Sequence, residues 1–140
     1  MDLGLRGRVA IVAAAREGFF SSAVKQPVDG SLLSNSVRAA VNGLARTLAN
    51  ESAAFGITVN DICPGYSHTA RLDTLAKSIS TCSNVESGEV FAGWAREIPA
   101  GRIGAPEEFA ALVVFLASQR ASCVNATSIA ADGGLVRSLP

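Results

Sequence analysis

The side chains that could carry metal or acid–base chemistry are few in this sequence. His68 is the only histidine, and the three cysteines, Cys63, Cys82 and Cys123, have no CxxC spacing. A zinc site needs several converging ligands, and a catalytic histidine needs a partner that orients it. The sequence therefore predicts no metal site. It predicts that His68 lies in a solvated loop and that the cysteines are free thiols of a reducing compartment.

Ser34 and Arg38 are a pair whose spacing brings a hydroxyl and a cation together. Residues four apart lie on one face of a helix, and the text around them has helical apolar spacing. The apolar positions are Val37, Val41, Leu44 and Leu48.

The elements that position this pair follow from local signals. The helical spacing predicts a helix over residues 34–54, and Gly56 is a typical helix-ending residue. The next stretch, "ITVNDIC" at 57–63, is rich in β-branched residues and predicts a strand. Pro64 and Gly65 end that strand in a corner.

The C-terminal half is predicted to be helical at two places. A short helix is predicted at 86–96, with Val90 and Trp94 facing inward, inside an otherwise less regular stretch from 66 to 100. A stronger helix is predicted at 106–119, because Pro106 suits a first turn. Its buried stripe is Phe109, Leu112, Val113 and Leu116. A short strand is predicted within "TSIAADGG", residues 127–134.

Residues 8–14, "RVAIVAA", form a short apolar run typical of a buried strand. Strand, helix, strand, helix, strand predicts an α/β fold with right-handed crossovers. We expect one domain over residues 1–140, with a small, mostly parallel sheet of about three strands and helices packed on it. In that sheet, strand 8–14 is predicted to lie beside strand 57–63, because its text leads directly into the helix at 34–54.

Charge and hydropathy exclude several classes of partner. The 140 residues are 49% hydrophobic, and 12 basic residues balance 12 acidic ones. Zero net charge argues against nucleic acid and anionic lipid as partners. No apolar run approaches the ~20 residues that span a bilayer. The opening "MDLGLRGRVAIV" does not have the pattern of a secretory signal, so we expect a cytoplasmic protein.

Three segments together resemble the short-chain dehydrogenase/reductase family, and most closely its 3-oxoacyl-acyl-carrier-protein reductase-like branch. They are "RAAVNGLARTLANESAAFGITVNDICPGYSHT", "GRIGAPEEFAALVVFLAS" and "IAADGG", and the resemblance is strongest over residues 31–140. The opening "LRGRVAIV" resembles the family's first strand. The resemblance implies a Rossmann-like fold, internally truncated, with NAD or NADP as cofactor, a small-molecule carbonyl substrate and homo-oligomeric assembly.

The family's catalytic pattern is a serine followed, about a dozen residues later, by Tyr-x-x-x-Lys. Aligning Arg38 with the lysine puts Ser34 at the tyrosine, and Ser21 or Ser22 at the upstream serine. These four residues are the catalytic positions that the resemblance implies. Two interpretations are open for them: a relic of a carbonyl-binding site, or a loop turn and a solvated helix face with no chemical role. Serine is a much weaker acid than a phenol, and arginine keeps the charge of lysine but changes the donor shape.

The cofactor side is only partly represented. The resemblance makes Pro64, Gly65 and Thr69 the nicotinamide-side corner, and Gly18 the retained glycine of a TGxxxGxG turn. Glycines in that turn let the backbone approach a pyrophosphate. Ala14 and Phe20 stand at the first and third glycines of the turn.

About half of the family's fold has no counterpart in this sequence, between Gly18 and Ser21. The only tyrosine, Tyr66, lies in the corner and not on the helix. We therefore carry two hypotheses. The first is an NAD(P)-linked oxidoreductase by resemblance, catalytically impaired. The second is a non-catalytic, truncated relative that acts as an oligomerisation or interaction module, or that has no selected function.

Overall fold

The computed structural model describes residues 32–137, and residues 1–31 and 138–140 lie outside the described part. Within that range the chain forms four α-helices and two β-strands. In chain order they are α1 (Leu32–Ser52), β1 (Asp61–Pro64), α2 (Ala70–Ser83), α3 (Ser87–Glu97), α4 (Pro106–Ala117) and β2 (Ser128–Ala131). Short 3₁₀ turns follow α1 at Ala53–Phe55 and α4 at Gln119–Ala121.

Helix α1 confirms the helix predicted for residues 34–54, with a start two residues earlier. Its end follows the predicted signal. Gly56 adopts the left-handed conformation, with φ of 71°, and its N–H donates to the Ala53 carbonyl at 3.0 Å. A glycine suits this position because the left-handed region penalises a Cβ.

The two strands form a parallel pair, in which Asp61 lies opposite Ser128 and Pro64 opposite Ala131. This pair confirms the parallel arrangement and the C-terminal strand. The strand predicted at 57–63 was placed too early, because β1 begins only at Asp61. The predicted third strand, residues 8–14, lies outside the described residues.

Before Asp61, side-chain hydrogen bonds alternate with one backbone bond, from the Ala126 N–H to the Val59 carbonyl at 2.9 Å, and this irregular pairing explains the late start of β1. The Val59 N–H donates to the Asn125 side chain at 2.8 Å, and the Asn60 side chain accepts from the Thr127 N–H at 3.2 Å. The Asn125 amide also donates to the Ala49 carbonyl at 3.2 Å. Asn125 therefore ties the C-terminal end of α1 to the N-terminal ends of both strands.

The core of the described part lies beside the sheet, between α2, α3 and the segment that leads into α4. Its buried members are Tyr66, Leu72, Ala76, Trp94, Ile98 and Ile103. Val90 packs against this cluster and Trp94 is buried in it, which confirms the predicted inward face of the helix at 86–96.

Helix α2 is a correction, since residues 66–100 were predicted to contain only the one short helix. Thr69 caps α2, and Leu72 and Ala76 bury its inner face. The inward positions Leu72, Leu75, Ala76 and Ile79 have helical spacing. Serines and threonines between these positions weaken the helix propensity, which obscured the pattern.

Helix α4 confirms the helix predicted at 106–119, and its four predicted core residues are half-buried, not fully buried. Helix α1 differs more from the expectation of a helix packed on the sheet, because Val37, Val41, Leu44 and Leu48 are all exposed. None of the helices within residues 32–137 is both long and apolar enough to cross a membrane.

Candidate functional site

The Pro64–Gly65 corner leaves the sheet at the carboxyl end of β1 and touches the turn that follows β2. The Gly65 N–H donates to the Ala131 carbonyl at 3.1 Å. A Cβ built on Gly65 would lie 2.6 Å from the Asp132 Cβ and 2.8 Å from its Cα. No side chain fits at those distances, so glycine at 65 lets the corner and the turn lie against each other.

Asp132 fixes the turn on the other side of this contact. Its carboxylate oxygens accept hydrogen bonds from the Gly134 and Val136 N–H groups, both at 2.9 Å. Gly133 has a φ of 66°, and a Cβ there would lie 2.7 Å from the Ile98 side chain. The "DGG" text therefore forms a tight turn that packs on the core and holds the corner in place.

Thr69 lies four residues after Gly65 and begins α2. Its hydroxyl accepts from the Leu72 N–H at 3.4 Å, which is a long N-cap hydrogen bond. The side chain is exposed. Thr69 thus stands beside the corner with part of its hydrogen-bonding capacity open to a ligand, and its structural role as a cap needs no ligand.

Ser34 and Arg38 lie in the first two turns of α1, on a different element from the corner. Arg38 is half-buried. Since Asn125 ties the other end of α1 to the start of the strands, these turns point towards the carboxyl ends of the strands. Ligands of open α/β sheets bind outside those ends. Helix α1 therefore begins at the end of the sheet where such ligands bind, and a catalytic role of the pair stays a prediction.

Tyr66, the only phenol in the chain, is buried behind the corner. Its ring stacks on Trp94, with centroids 5.2 Å apart. Burial raises the pKa of Tyr66 to about 12, and the charge of Glu97 and a hydrogen bond with it act in the same direction. A catalytic tyrosine needs the opposite change, a lowered pKa.

The raised pKa of Tyr66 predicts that the folded chain loses stability in alkali. The neutral phenol is favoured in the fold, so this contribution is complete below pH 10 and is lost as pH rises through about 12. Two pKa units correspond to about 2–3 kcal/mol. Because there is one tyrosine, phenolate absorbance reports it alone. We expect a midpoint near 12 in the folded chain and near 10 in urea.

The control for this titration is Tyr66→Phe, which removes the ionisable group and retains the stacked ring. We expect its stability to change little between pH 10 and 12, where that of the parent chain falls. If the titration midpoint were the same in the folded and the urea-unfolded chain, Tyr66 would not be buried beside Glu97.

An open cavity of about 310 Å³ lies at the carboxyl ends of the strands. It is lined by Tyr66, Phe109, Asp132 and an ion pair, and its volume is at the lower limit for small-molecule sites. The ion pair joins Arg102 to Glu108 by two hydrogen bonds of 2.8 and 2.6 Å. Arg102, with the Ala105 N–H, lowers the pKa of Glu108 to about 2. Both groups are exposed, so the pair orders the entry to α4 at little gain in stability.

His68 lies at the surface near the corner, as the sequence predicts. Its ring is 5.7 Å from that of Phe91, and its backbone N–H donates to the Gly104 carbonyl at 3.0 Å. Over residues 32–137 no three histidine, cysteine or acidic side chains come together as a metal site would require. The three cysteines are free, and Cys63 is fully buried in β1.

The structure brings together only part of the predicted site. Pro64, Gly65 and Thr69 lie in one corner, and Ser34 and Arg38 lie on α1. Gly18, Ser21 and Ser22 lie outside the described residues. Sequence reasoning missed the contact of Gly65 with Asp132, the bond of Tyr66 with Glu97, and the Arg102–Glu108 pair. The "DGG" sequence indicates a tight turn and could have pointed to Asp132. No local pattern indicates Glu97 as the partner of Tyr66, or Glu108 as the partner of Arg102.

The family model described as "Enoyl-(Acyl carrier protein) reductase" matches residues 19–136. The chain belongs to the short-chain dehydrogenase/reductase family. The match includes α1, the corner, α4 and the "DGG" turn, which are the segments on which the resemblance rested. The described α/β structure is accordingly part of a Rossmann-like fold.

Individual relatives agree with this membership. Acetoacetyl-CoA reductase from Rhizobium meliloti is 41% identical over 92 residues, which are 66% of this chain and 34% of the relative. Short-chain reductase protein NovJ from Streptomyces niveus is 35% identical over 115 residues, 82% of this chain and 42% of the relative. The chain thus spans between a third and half of the length of such curated relatives.

Solved structures show the same partial coverage. L-sorbose reductase from Gluconobacter frateurii, complexed with NADPH and L-sorbose, matches with a TM-score of 0.79 and 30% identity. The match covers 84% of this chain and 45% of that one. A short-chain dehydrogenase family protein from Francisella tularensis matches with the same TM-score and 26% identity, over 84% of this chain and 48% of its own.

Proposed function

We propose that this chain is an NAD(P)-linked oxidoreductase by descent whose carbonyl–alcohol chemistry is impaired. One observation carries the proposal. The only phenol of the chain, Tyr66, is buried behind the corner and stacked on Trp94. Burial, the charge of Glu97 and a hydrogen bond with Glu97 raise its pKa to about 12, the opposite of what an activated proton donor needs. The resemblance puts Ser34 at the helix position of the family's tyrosine.

The residues at the catalytic positions support the same conclusion. A serine hydroxyl is a far weaker acid than a tyrosine phenol and reaches less far, so proton transfer from Ser34 to a substrate oxygen is unfavourable. Arg38 keeps a positive charge but presents a planar fork in place of a compact ammonium. The pair can bind a carbonyl oxygen more readily than it can protonate one.

The residues at the cofactor positions support weak dinucleotide binding. A Cβ on Gly65 would collide with Asp132, so this glycine is required for the contact between corner and turn whether or not a cofactor binds. Thr69 is the N-cap of α2, a role that likewise needs no cofactor. At the turn that the resemblance assigns to the pyrophosphate, Gly18 is kept, and Ala14 and Phe20 stand at the other two glycine positions. We therefore expect weak or negligible binding of NADH and NADPH, and derive no step through either.

The double variant Ser34→Tyr with Arg38→Lys tests this account at the catalytic centre. It restores the acid and its charge partner, yet leaves the chain without a pyrophosphate cradle. We expect NADPH oxidation with a simple ketone to stay at the rate without protein. The single variant Arg38→Lys is the control for effects of the helix charge. NADPH oxidation above background in the double variant would favour an active oxidoreductase, and it would refute the interpretation that the turn around Gly18 no longer binds a pyrophosphate.

A second candidate function is assembly, which one surface feature favours. Val114 and Phe115 are neighbours on α4, and each is 40% exposed. Large apolar side chains placed side by side on a surface favour association. We propose that the chain forms homo-oligomers through α4.

Light scattering at low micromolar concentration tests this assembly. We expect a mass above the 14.4 kDa of one chain, and a fall towards 14.4 kDa in Phe115→Arg. The control is Leu32→Arg, which changes an exposed apolar position on a different helix, at the start of α1. A clean 14.4 kDa species in the unmodified chain would end this candidate.

A further inference from the structure

The open cavity of about 310 Å³ at the carboxyl ends of the strands lies between the residues that follow the corner, the "DGG" turn and the start of α4. We call it the turn cavity, and the residues that define it are Tyr66, Ser67, Gly104, Glu108, Phe109 and Asp132. The corner residues assigned to the cofactor, Pro64, Gly65 and Thr69, do not line it. A ligand in the turn cavity therefore needs no dinucleotide beside it.

Gly104 keeps the middle of the turn cavity open. Its φ lies outside the left-handed region, so its conformation does not require glycine. A Cβ there would lie 3.4 Å from the Tyr66 carbonyl oxygen, and 3.8 Å from both the Ser67 Oγ and the Glu108 Oε2. These are ordinary contact distances, so packing does not require glycine either. The missing side chain leaves a space bordered by a hydroxyl and a carboxylate oxygen.

Ser67 borders this space with a hydroxyl that makes no hydrogen bond within residues 32–137. The backbone around it is fixed, because the Gly104 N–H donates to the Tyr66 carbonyl and the His68 N–H to the Gly104 carbonyl, both at 3.0 Å. Ser67 is half-buried. Its hydroxyl therefore offers two lone pairs and one proton to a ligand in the turn cavity.

The charged side chains around the turn cavity give it a net negative charge. They are one guanidinium, Arg102, and two carboxylates, Glu108 and Asp132. Arg102 neutralises Glu108 through their two hydrogen bonds. Within residues 32–137 the Asp132 carboxylate accepts only the two backbone N–H groups of its own turn, which leaves about half of its acceptor capacity open. The surplus negative charge favours a cationic ligand and disfavours an anion.

The rest of the wall is apolar and suits a short hydrocarbon chain. It includes the half-buried Phe109 ring and the small side chains of Ala105, Ala130 and Ala131. A volume at the lower limit for small-molecule sites fits a ligand of only a few carbon atoms. Contact of such a chain with this wall removes apolar surface from water, which favours binding.

We propose that the turn cavity binds a small primary alkylamine in its ammonium form. The ammonium group occupies the space beside Gly104 and donates to the Ser67 hydroxyl oxygen. The carboxylates of Glu108 and Asp132 provide the favourable charge, and the alkyl chain contacts Phe109. An alcohol of the same shape lacks the positive charge, and a carboxylate has the wrong sign. The site therefore selects its ligand by charge, hydrogen bonding and size together.

Titration with isoamylamine at neutral pH, without any dinucleotide, tests the site. Tyr66 lines the turn cavity and stacks on Trp94, the only tryptophan, so tryptophan fluorescence reports binding. Magnetisation transfer from the protein to the ligand methyl groups, measured by NMR, is a second readout that does not depend on Trp94. We expect saturation with a dissociation constant of about one millimolar, the range for a ligand of so few atoms.

Isoamyl alcohol and isovalerate are the matched probes, because they have nearly the same branched chain with a neutral and an anionic head. We expect both to bind roughly tenfold more weakly than isoamylamine, since neither provides a charged donor to the hydroxyl and carboxylates. No dinucleotide is present in these titrations, so their outcome is separate from any binding of NADPH.

Two variants test the position of the ammonium group. Gly104→Ala places a methyl group in the space assigned to it, and Ser67→Ala removes the hydroxyl. We expect each to weaken isoamylamine binding roughly tenfold, without lowering the urea midpoint of unfolding. The matched control is Gly93→Ala in α3, where a Cβ would have no heavy atom within 4 Å. It should bind isoamylamine as the parent chain does.

Three results would overturn the proposal. Equal affinity for isoamylamine and for either matched probe would show that the ammonium charge is not recognised. Unchanged affinity in Gly104→Ala would show that the amine binds elsewhere. The absence of a saturable response in both readouts, up to the solubility limit of the amine, would show that the turn cavity does not bind this class of ligand.

Discussion

Replacing Trp94 by alanine is expected to remove a large part of the stability of the folded chain. Trp94 is 8% exposed and stacks on Tyr66, and Phe91 meets it edge-on at 5.4 Å. A buried tryptophan truncated to alanine typically costs ~3–5 kcal/mol, a large part of the ~5–15 kcal/mol that stabilises a domain. The measurement is urea unfolding followed by far-ultraviolet circular dichroism, because the variant has no tryptophan fluorescence.

Two further variants separate the packing of Trp94 from general apolar loss. Trp94→Phe keeps an aromatic ring in the cluster and should cost clearly less than alanine. Phe55→Ala removes a ring that is 80% exposed and should change the free energy of unfolding by no more than ~0.5 kcal/mol. A Trp94→Ala variant as stable as Phe55→Ala would mean that the aromatic cluster does not organise the core.

Alanine at Gly65 is expected to destabilise the fold by about 1–3 kcal/mol or more, the range for overpacking. The new Cβ would meet the Asp132 Cβ at 2.6 Å and its Cα at 2.8 Å, so backbone must move. Movement there would also disturb the two hydrogen bonds with which Asp132 closes its turn. Urea unfolding measures the loss, and Trp94 fluorescence is available in this variant.

Gly43→Ala is the matched control, and the opposite sign is expected. Gly43 lies inside α1, and a Cβ there would have no heavy atom within 4 Å. Alanine in a helix is favoured over glycine by roughly 0.5–1 kcal/mol, so this variant should gain stability. If Gly65→Ala and Gly43→Ala shifted stability alike, the close contact between corner and turn would not hold.

Much of the fold could be predicted from local patterns. The periodicity of Val37 to Leu48 and of Phe109 to Leu116 predicted α1 and α4, because the apolar residues repeat over about three turns in the first and about two in the second. The turn residues Gly56 and Pro64 marked true ends. The start of β1 could not be predicted, because Asn60 and Asn125 end the ladder by side-chain bonds between segments distant in sequence.

The site was harder to predict from the sequence, because its contacts also join residues that are distant in the chain. The types of Pro64, Gly65 and Thr69 indicated a corner, but the demand for glycine at 65 depends on where Asp132 lies. The raised pKa of Tyr66 depends on burial by Trp94 and on Glu97. Nothing local to "PGY" carries that information. Periodicity likewise indicated the apolar stripe from Val37 to Leu48, but not that this stripe is exposed.

Titration of the chain with NADPH, followed by nicotinamide fluorescence, tests the central claim most directly. The claim is that this family member does not bind the dinucleotide. We expect no saturable increase and no blue shift of NADPH fluorescence at concentrations that saturate an active reductase of the family measured in parallel. Saturable binding with one NADPH per chain, abolished by a bulky substitution such as Thr69→Trp, would contradict it.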